Sequence, residues 1–414
     1  MGGSPKRAGF VLGRRASLMV AACVAGHTLW SSAAPALTYR LYAQEWHLTH
    51  TATTGIFAVY PLAVIAMLVG FGGISDQIGR RAAMMLGIGA SLVGALLFTV
   101  APDVGWVFAG RVFMGVGVGL SAGPSTAAIL EFSGHQDGKR AASLTLTAQA
   151  TGFAAGLLVG GALTQYGPWP TRLCFALLGG LLLALLVATS FLPHDRNAGE
   201  NGEWRVKMPF VPTELRRRFA TAAAAILTAY TFGVLVLSLG GQVEHDLIGS
   251  SNAFVNGAVL SLFAIVLVPG GILARILSSR MALIIGSVAS VLGMVLLTLA
   301  VGRHDLPIYL AATVTAGAGY SLLFVGGLEL INAAVPSHHR GGVISALYLA
   351  GYLSMAAVAL VLGAVATAWG LGFAVKLGAA VITVLSIATF VRALATRADD
   401  ASHSVPLYLP RGLQ

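Results

Sequence analysis

The chain has 414 residues, of which 57% are apolar and only 10% charged, with 52 glycines, two cysteines and a formal net charge of +10. Soluble proteins carry about 25% charged residues, so a water-soluble globule, a disordered chain, a collagen and a disulfide scaffold are excluded. The solvent for most of this surface is lipid, and the excess of positive charge has to be read from where it lies.

A membrane-crossing helix needs about 20 mainly apolar residues. Twelve stretches nearly free of Asp, Glu, Lys and Arg meet that length. They cover 16–38, 50–75, 82–101, 104–130, 141–166 and 172–193, then 219–243, 251–274, 281–302, 306–333, 341–368 and 371–392. The expected fold is an all-α integral membrane protein with 12 transmembrane helices. Arg14 and Arg15 precede the first run as in a signal peptide, but the run is too long for one and reads as an uncleaved first helix.

Alternate gaps between the runs differ in charge. Arg14, Arg15, Arg80, Arg81, Lys139, Arg140, Arg275, Arg280 and Arg340 fall on one side, with six more basic residues in 194–218. The other side holds only Arg40, Arg172 and Arg303, with Arg111 and Lys376 inside runs. Cytoplasmic loops collect Lys and Arg, so both termini are expected in the cytoplasm. The charge is an orientation signal, and no nucleic-acid partner is expected.

Residues 194–218 form the one long polar interior stretch. The expected division is a six-helix bundle over 1–193, a cytoplasmic linker over 194–218, a second six-helix bundle over 219–396 and a tail over 397–414. Internal similarity at an offset near 199 supports it: Glu131 pairs with Glu329, Arg140 with Arg340, and 72–81 with 271–280.

Gly72, Asp76, Gly79, Arg80 and Arg81 follow the pattern G-x-x-x-D-R-x-G-R-R, with Gln77 in place of its first Arg. On these residues and twelve runs, the chain resembles the major facilitator superfamily over nearly its whole length. The resemblance implies two pseudo-symmetric bundles around a central site. It also implies a conformational latch in which Gly72, Asp76, Gly79, Arg80 and Arg81 work with Glu131 and Arg140 near 341–345. Asp76 at a helix end needs cationic partners, and the adjoining arginines need anions.

Within the fourth run, Arg111 begins Arg-Val-Phe-Met-Gly, similar to the R-x-x-q-G signature of that family, with Met114 at the Gln position. An intramembrane Arg is costly and usually faces the protein interior. The fifth run carries Gly152, Gly156, Gly160 and Gly161, every glycine of the motif g-x-x-x-G-P-x-x-G-G in the 12-helix drug:proton antiporter branch, with Leu157 replacing its Pro. Small residues at this spacing let helix backbones approach closely. His27 lies near the middle of the first run, where an imidazole can exchange a proton in the physiological range. His27 and Arg111 are the candidates for proton coupling, with ordinary polar packing as the alternative for His27 and snorkelling for Arg111.

The resemblance places runs 1, 4, 5, 7, 10 and 11 around the centre, which makes Trp30, Ser31, Met114, Gln149, Tyr230, Tyr320, Tyr348 and Tyr352 the substrate-cavity candidates. Glu131, Glu244 and Glu329 read as helix-end residues, leaving no carboxylate near the midplane. That favours a neutral or anionic small-molecule substrate. Pro35, Pro61, Pro124 and Pro269 are expected to kink their helices. Cys23 and Cys174 sit in apolar runs away from any metal-ligand spacing, and no catalytic triad or phosphate loop is present.

The expected function is secondary transport of a small amphipathic molecule by alternating access, as proton-coupled efflux without enzymatic activity. No cofactor or metal is expected; a proton gradient supplies the driving force. The protein is expected to act as a monomer in a bacterial inner membrane. The alternative is a proton-coupled symporter or facilitator for uptake of a sugar, organic acid or similar solute, and a third reading is a membrane receptor or scaffold.

Overall fold

The computed structural model describes residues 11–71, 74–133, 138–193, 211–335 and 337–402. Its long helices are α1 (Arg14–Ala33), α2 (His50–Phe71), α3 (Arg80–Val100), α4 (Val104–Ser133), α5 (Gly138–Tyr166) and α6 (Leu173–Thr189). The second set is α7 (Thr213–Leu247), α8 (Ala253–Ile276), α9 (Ser279–Arg303), α10 (Leu306–Ala334), α11 (Ser337–Trp369) and α12 (Leu371–Ser402). Among the described residues there is no strand.

Eleven of these helices are long and apolar enough to cross a membrane, and α6 is an apolar helix of 17 residues. At 1.5 Å per residue, α6 sits at the lower limit for spanning a core of about 30 Å. The expected run over 172–193 is thus shortened at its far side, because Ser190–Leu192 close in turns on Leu186–Thr189. The seventh run is longer than expected. It contains two π-helical turns, Leu235–Leu239 and Val243–Leu247, and the second carries it past 243.

Pro35 does not kink a helix as expected. α1 ends at Ala33, and Pro35 starts the turn whose carbonyl accepts from Thr38. A proline has no N–H to continue the helical ladder, so the chain leaves the axis there and forms the short helix Tyr39–Glu45. Pro61, Pro124 and Pro269 do lie inside α2, α4 and α8.

Within the first half α4 packs on α1, α2 and α3, while α1 packs on α5 and α3 on α6. Within the second half α10 packs on α7, α8 and α9, and α12 packs on α7, α9 and α11. The two most extensive contacts between the halves are α5 with α8 and α2 with α11, and α2 also meets the end of α7. The internal repeat reappears as contacts. Arg81 donates to the Leu192 carbonyl at 3.1 Å, and Arg280 donates to the Ala393 carbonyl at 2.8 Å. Each fixes the start of a bundle's third helix to the end of its sixth.

Helices without a hydrophobic driving force between them associate through close packing of small residues. A Cβ added to Gly117 would stand 2.1 Å from Ser91 Oγ, and one added to Gly319 would stand 2.5 Å from Ser290 Oγ. The α3–α4 and α9–α10 crossings are therefore built in the same way.

Candidate functional site

One end of the bundle carries the basic residues that begin α1, α3 and α9; the opposite end carries the starts of α2 and α8 and the finish of α7 and α11. The two ends are packed differently. Every residue of 31–39 and 231–244 is buried, whereas none of 65–71 or 211–220 is. The end opposite the basic one is closed.

Polar bonds between the halves hold that closed end. His50 Nδ1 donates to Gln242 Oε1 at 2.7 Å, since the amide oxygen can only accept, and Gln242 Nε2 donates to Thr53 at 3.4 Å. The Thr51 amide donates to Thr367 Oγ1 at 3.0 Å, and the Ala253 amide donates to Gln165 Oε1 at 2.8 Å. At the basic end, Arg275 Nη1 donates across the halves to Ser143 Oγ at 2.6 Å.

Arg111 is fully buried, and the reason it can be is the early end of α1. The last carbonyls of a helix lack an intrahelical partner and carry partial negative charge. Arg111 Nη1 donates to the Ser31 and Ser32 carbonyls at 3.3 and 3.5 Å, and its guanidinium lies 4.4 Å from the Tyr60 ring centre. Its Nε and Nη2 have no hydrogen-bond partner.

His27 is buried at 6% exposure and points into its own bundle. Its Nδ1 donates to the Val24 carbonyl, and Ser91 Oγ stands 3.5 Å from Nε2. The helix-packing glycines of α5 divide between two neighbours. A Cβ on Gly152 would stand 2.0 Å from the Gly26 carbonyl, and one on Gly156 would stand 3.3 Å from Trp30. Gly160 is looser, at 3.9 Å from Ala34, while Gly161 meets α8 at 2.6 Å from the Ala253 carbonyl. Three of the four therefore face α1 and one faces the other half.

Four cavity candidates come together in the second half. Tyr230 of α7 and Tyr352 of α11 stack edge-on at 4.8 Å, Tyr320 of α10 stacks on Phe324 at 5.8 Å, and Tyr348 joins Phe324 at 6.5 Å. Tyr320, Tyr348 and Tyr352 keep accessible surface, as do Trp30 and Gln149 in the first half. Ser31 is fully buried with an unpartnered hydroxyl. Met114 does not join this surface: it is buried against Gly94, where it fills the α3–α4 crossing.

Of the latch residues, Gly79 takes a positive φ of 85° at the sharp turn into α3, a conformation glycine adopts without strain. Arg80 pairs with Glu131 at the end of α4, and Arg140 is exposed at the start of α5. Gly72 and the side chain of Asp76 lie outside the described residues, as do the side chains of 336–341.

For Glu244, sequence reasoning gave the position near a helix end but missed the burial. It reads as a helix-end carboxylate, but its exposure is 0% and neither carboxylate oxygen has a hydrogen-bond partner. The π-helical turn Val243–Leu247 rotates it inward while His245 and Asp246 keep accessible surface. No sequence signal marks a π turn. Glu244 lies in the last turn of α7 at the closed end, away from the middle of the span.

The sequence profile of the Major Facilitator Superfamily matches residues 18–358. The tetracycline resistance protein, class C, of Escherichia coli is 26% identical over 349 residues, covering 80% of this chain and 84% of that protein. The puromycin resistance protein pur8 of Streptomyces alboniger is 30% identical over 154 residues, covering 37% of this chain and only 30% of its own length. In three dimensions the chain superposes on a point mutant of the nucleoside transporter NupG with a TM-score of 0.77 at 12% identity, covering 92% of this chain and 100% of that one. The D-xylose-proton symporter gives 0.71 at 16% identity, with 91% and 96% covered.

Proposed function

The chain belongs to the major facilitator superfamily, a family of multi-pass membrane transporters and not of enzymes, and we propose that it exports a small amphipathic molecule in exchange for protons. The half-buried aromatic face formed by Tyr320, Tyr348 and Tyr352 carries this reading. Aromatic rings with a hydroxyl at one edge suit a ligand that is apolar with a few polar groups. The α5 glycines and relatives named for resistance to tetracycline and puromycin support export. Alternating access follows from a closed end held by a few polar bonds and rocking of one half against the other. The transporter acts as a monomer in a bacterial inner membrane, its basic end in the cytoplasm.

His27 and Arg111 are the proton-coupling candidates carried over from the sequence. A proton drives transport only if it binds the two access states with different affinity. Arg111 meets that condition if the α1 carbonyls it binds move when the closed end opens. For His27, full proton-coupled flux in His27→Ala would remove it from the mechanism.

The test is proton movement in proteoliposomes containing a pH dye, under an imposed gradient. Neutral, anionic and cationic amphiphiles are added, tetracycline and puromycin among them. Substrate-dependent proton movement that disappears in Asp76→Asn is the expected result. Substrate flux without proton movement would overturn the coupling. Uptake in oriented vesicles would favour the second reading, a symporter or facilitator, to which Leu157 at the motif's Pro position and the fold shared with the D-xylose-proton symporter lend support.

A further inference from the structure

The finish of α7 combines three features that no other described segment shares. It departs from α-helical geometry in two π turns, Leu235–Leu239 and Val243–Leu247, of the kind often found at functional sites. Between them lies Gln242, which binds His50 and Thr53 across the halves. Two residues beyond Gln242 comes Glu244, wholly buried and without a hydrogen-bond partner on either oxygen.

An isolated carboxylate cannot be kept in such surroundings as an anion, because nothing replaces the water it gave up. The groups around it do not supply a counter-charge. Tyr309 of α10 is its ionisable neighbour from another helix. From α9, His304 spends Nδ1 on the Leu247 carbonyl; from α12, Gly372 meets Leu247, and Lys376 is exposed. On its own turn His245 and Asp246 are paired with each other at 2.7 Å. From α8, Asn256 bonds to Ser250. No cluster of metal-ligating residues is found among the described residues.

The geometry points to Glu244 as a proton-binding site whose loading is tied to closure of the end of the bundle that Gln242 seals. The closed end holds the neutral acid. When that end opens, the side chain meets water beside His245 and Asp246, and the carboxylate forms by releasing its proton to that compartment. Closure therefore takes up a proton: acid favours the closed end, and rising pH opens it. Because this proton is taken up from and returned to one compartment, the site gates the closed end without itself carrying a proton across the membrane, and the inference goes beyond the proton-coupled reading without resting on it.

Spin labels at Gln44 and Ala368, exposed positions on opposite halves at this end, report the opening in a Cys23→Ala, Cys174→Ala background. In nanodiscs, the unmodified site should give one short distance at about pH 5 and an added longer one at about pH 8. Glu244→Gln, which copies the neutral acid, and Glu244→Met, which keeps the volume, should both hold the short distance at either pH. A wild-type response retained in both variants, or no response in the unmodified site, overturns the proposal. Loss of the response in both variants, together with substrate flux free of proton movement in proteoliposomes, supports the site and sinks only the proton-coupled transport reading.

Discussion

His50 and Gln242 meet across the two halves with Nδ1 and Oε1 2.7 Å apart, one on the first turn of α2 and the other near the end of α7. The bond is short, buried on the Gln242 side and made by residues 192 positions apart. It joins the two halves at the closed end, and under the proposed alternating access its free energy would act on that equilibrium.

Gln242→Ala removes that bond and the weaker one to Thr53. A hydrogen bond contributes about 1 kcal/mol net, so the equilibrium should move about fivefold toward the open end. Accessibility of a cysteine placed at Thr54 to a membrane-impermeant thiol reagent measures the shift. Unchanged accessibility would mean that the other contacts between the halves, α2 with α11 and α5 with α8, hold the closure.

Gly152 and Gly160 lie on one helix eight residues apart and should respond very differently to the same substitution. A methyl at Gly152 meets the Gly26 carbonyl at 2.0 Å, and at Gly160 it meets Ala34 at an ordinary 3.9 Å. Backbone cannot step aside as a flexible side chain can, so Gly152→Ala should destabilise by about 1–3 kcal/mol. Gly160→Ala should be close to neutral. Thermal unfolding of the two purified variants compares them, and equal midpoints would contradict the close α1–α5 crossing.

The Arg80–Glu131 pair is partly exposed, at 37% and 38% for the two side chains, so its effect on stability should be under about 1 kcal/mol. Its proposed role is conformational. Arg80→Glu and Glu131→Arg should each cut transport while leaving the protein folded. The double exchange should recover part of the loss, only part because Arg80 has further contacts. No recovery in the exchanged pair would argue that each residue acts alone.

Arg111 combines two carbonyl contacts with a ring contact to Tyr60. Lysine supplies charge but neither the planar fork nor the stacking face. Arg111→Lys should therefore lose transport at least about tenfold, since a desolvated cation–π contact is worth about 2 kcal/mol. Tyr60→Phe, which keeps the ring, should transport nearly as well as the parent. Full activity in Arg111→Lys would show that charge alone is what the site needs.

Much of the architecture can be read along the chain because a membrane imposes a local rule: enough apolar residues in a row to cross it. The runs at 50–75 and 306–333 correspond closely to α2 and α10 for that reason. The offset near 199 likewise anticipates the matched bonds of Arg81 and Arg280 to the ends of α6 and α12. The four tyrosines from α7, α10 and α11 are legible as cavity candidates only through family resemblance, which says which helices face the centre.

What lay beyond the sequence is what depends on a neighbour. Met114 and Tyr320 have similar local surroundings in apolar helices, but Met114 fills the notch left by Gly94 while Tyr320 keeps an open face. Whether Pro35 bends α1 or ends it decides whether the Ser31 and Ser32 carbonyls are free for Arg111, and that pairing joins residues 80 and 79 positions apart. Glu244 shows the limit most plainly: hydropathy places it at the end of a span, and only the π turn and the helices packed over it make it a buried acid. The sequence by itself determined a twelve-helix, duplicated membrane fold, because apolar length and repetition are properties of a segment alone. The tertiary structure decided which polar groups are buried, paired or left without a partner, because burial belongs to a side chain together with whatever covers it.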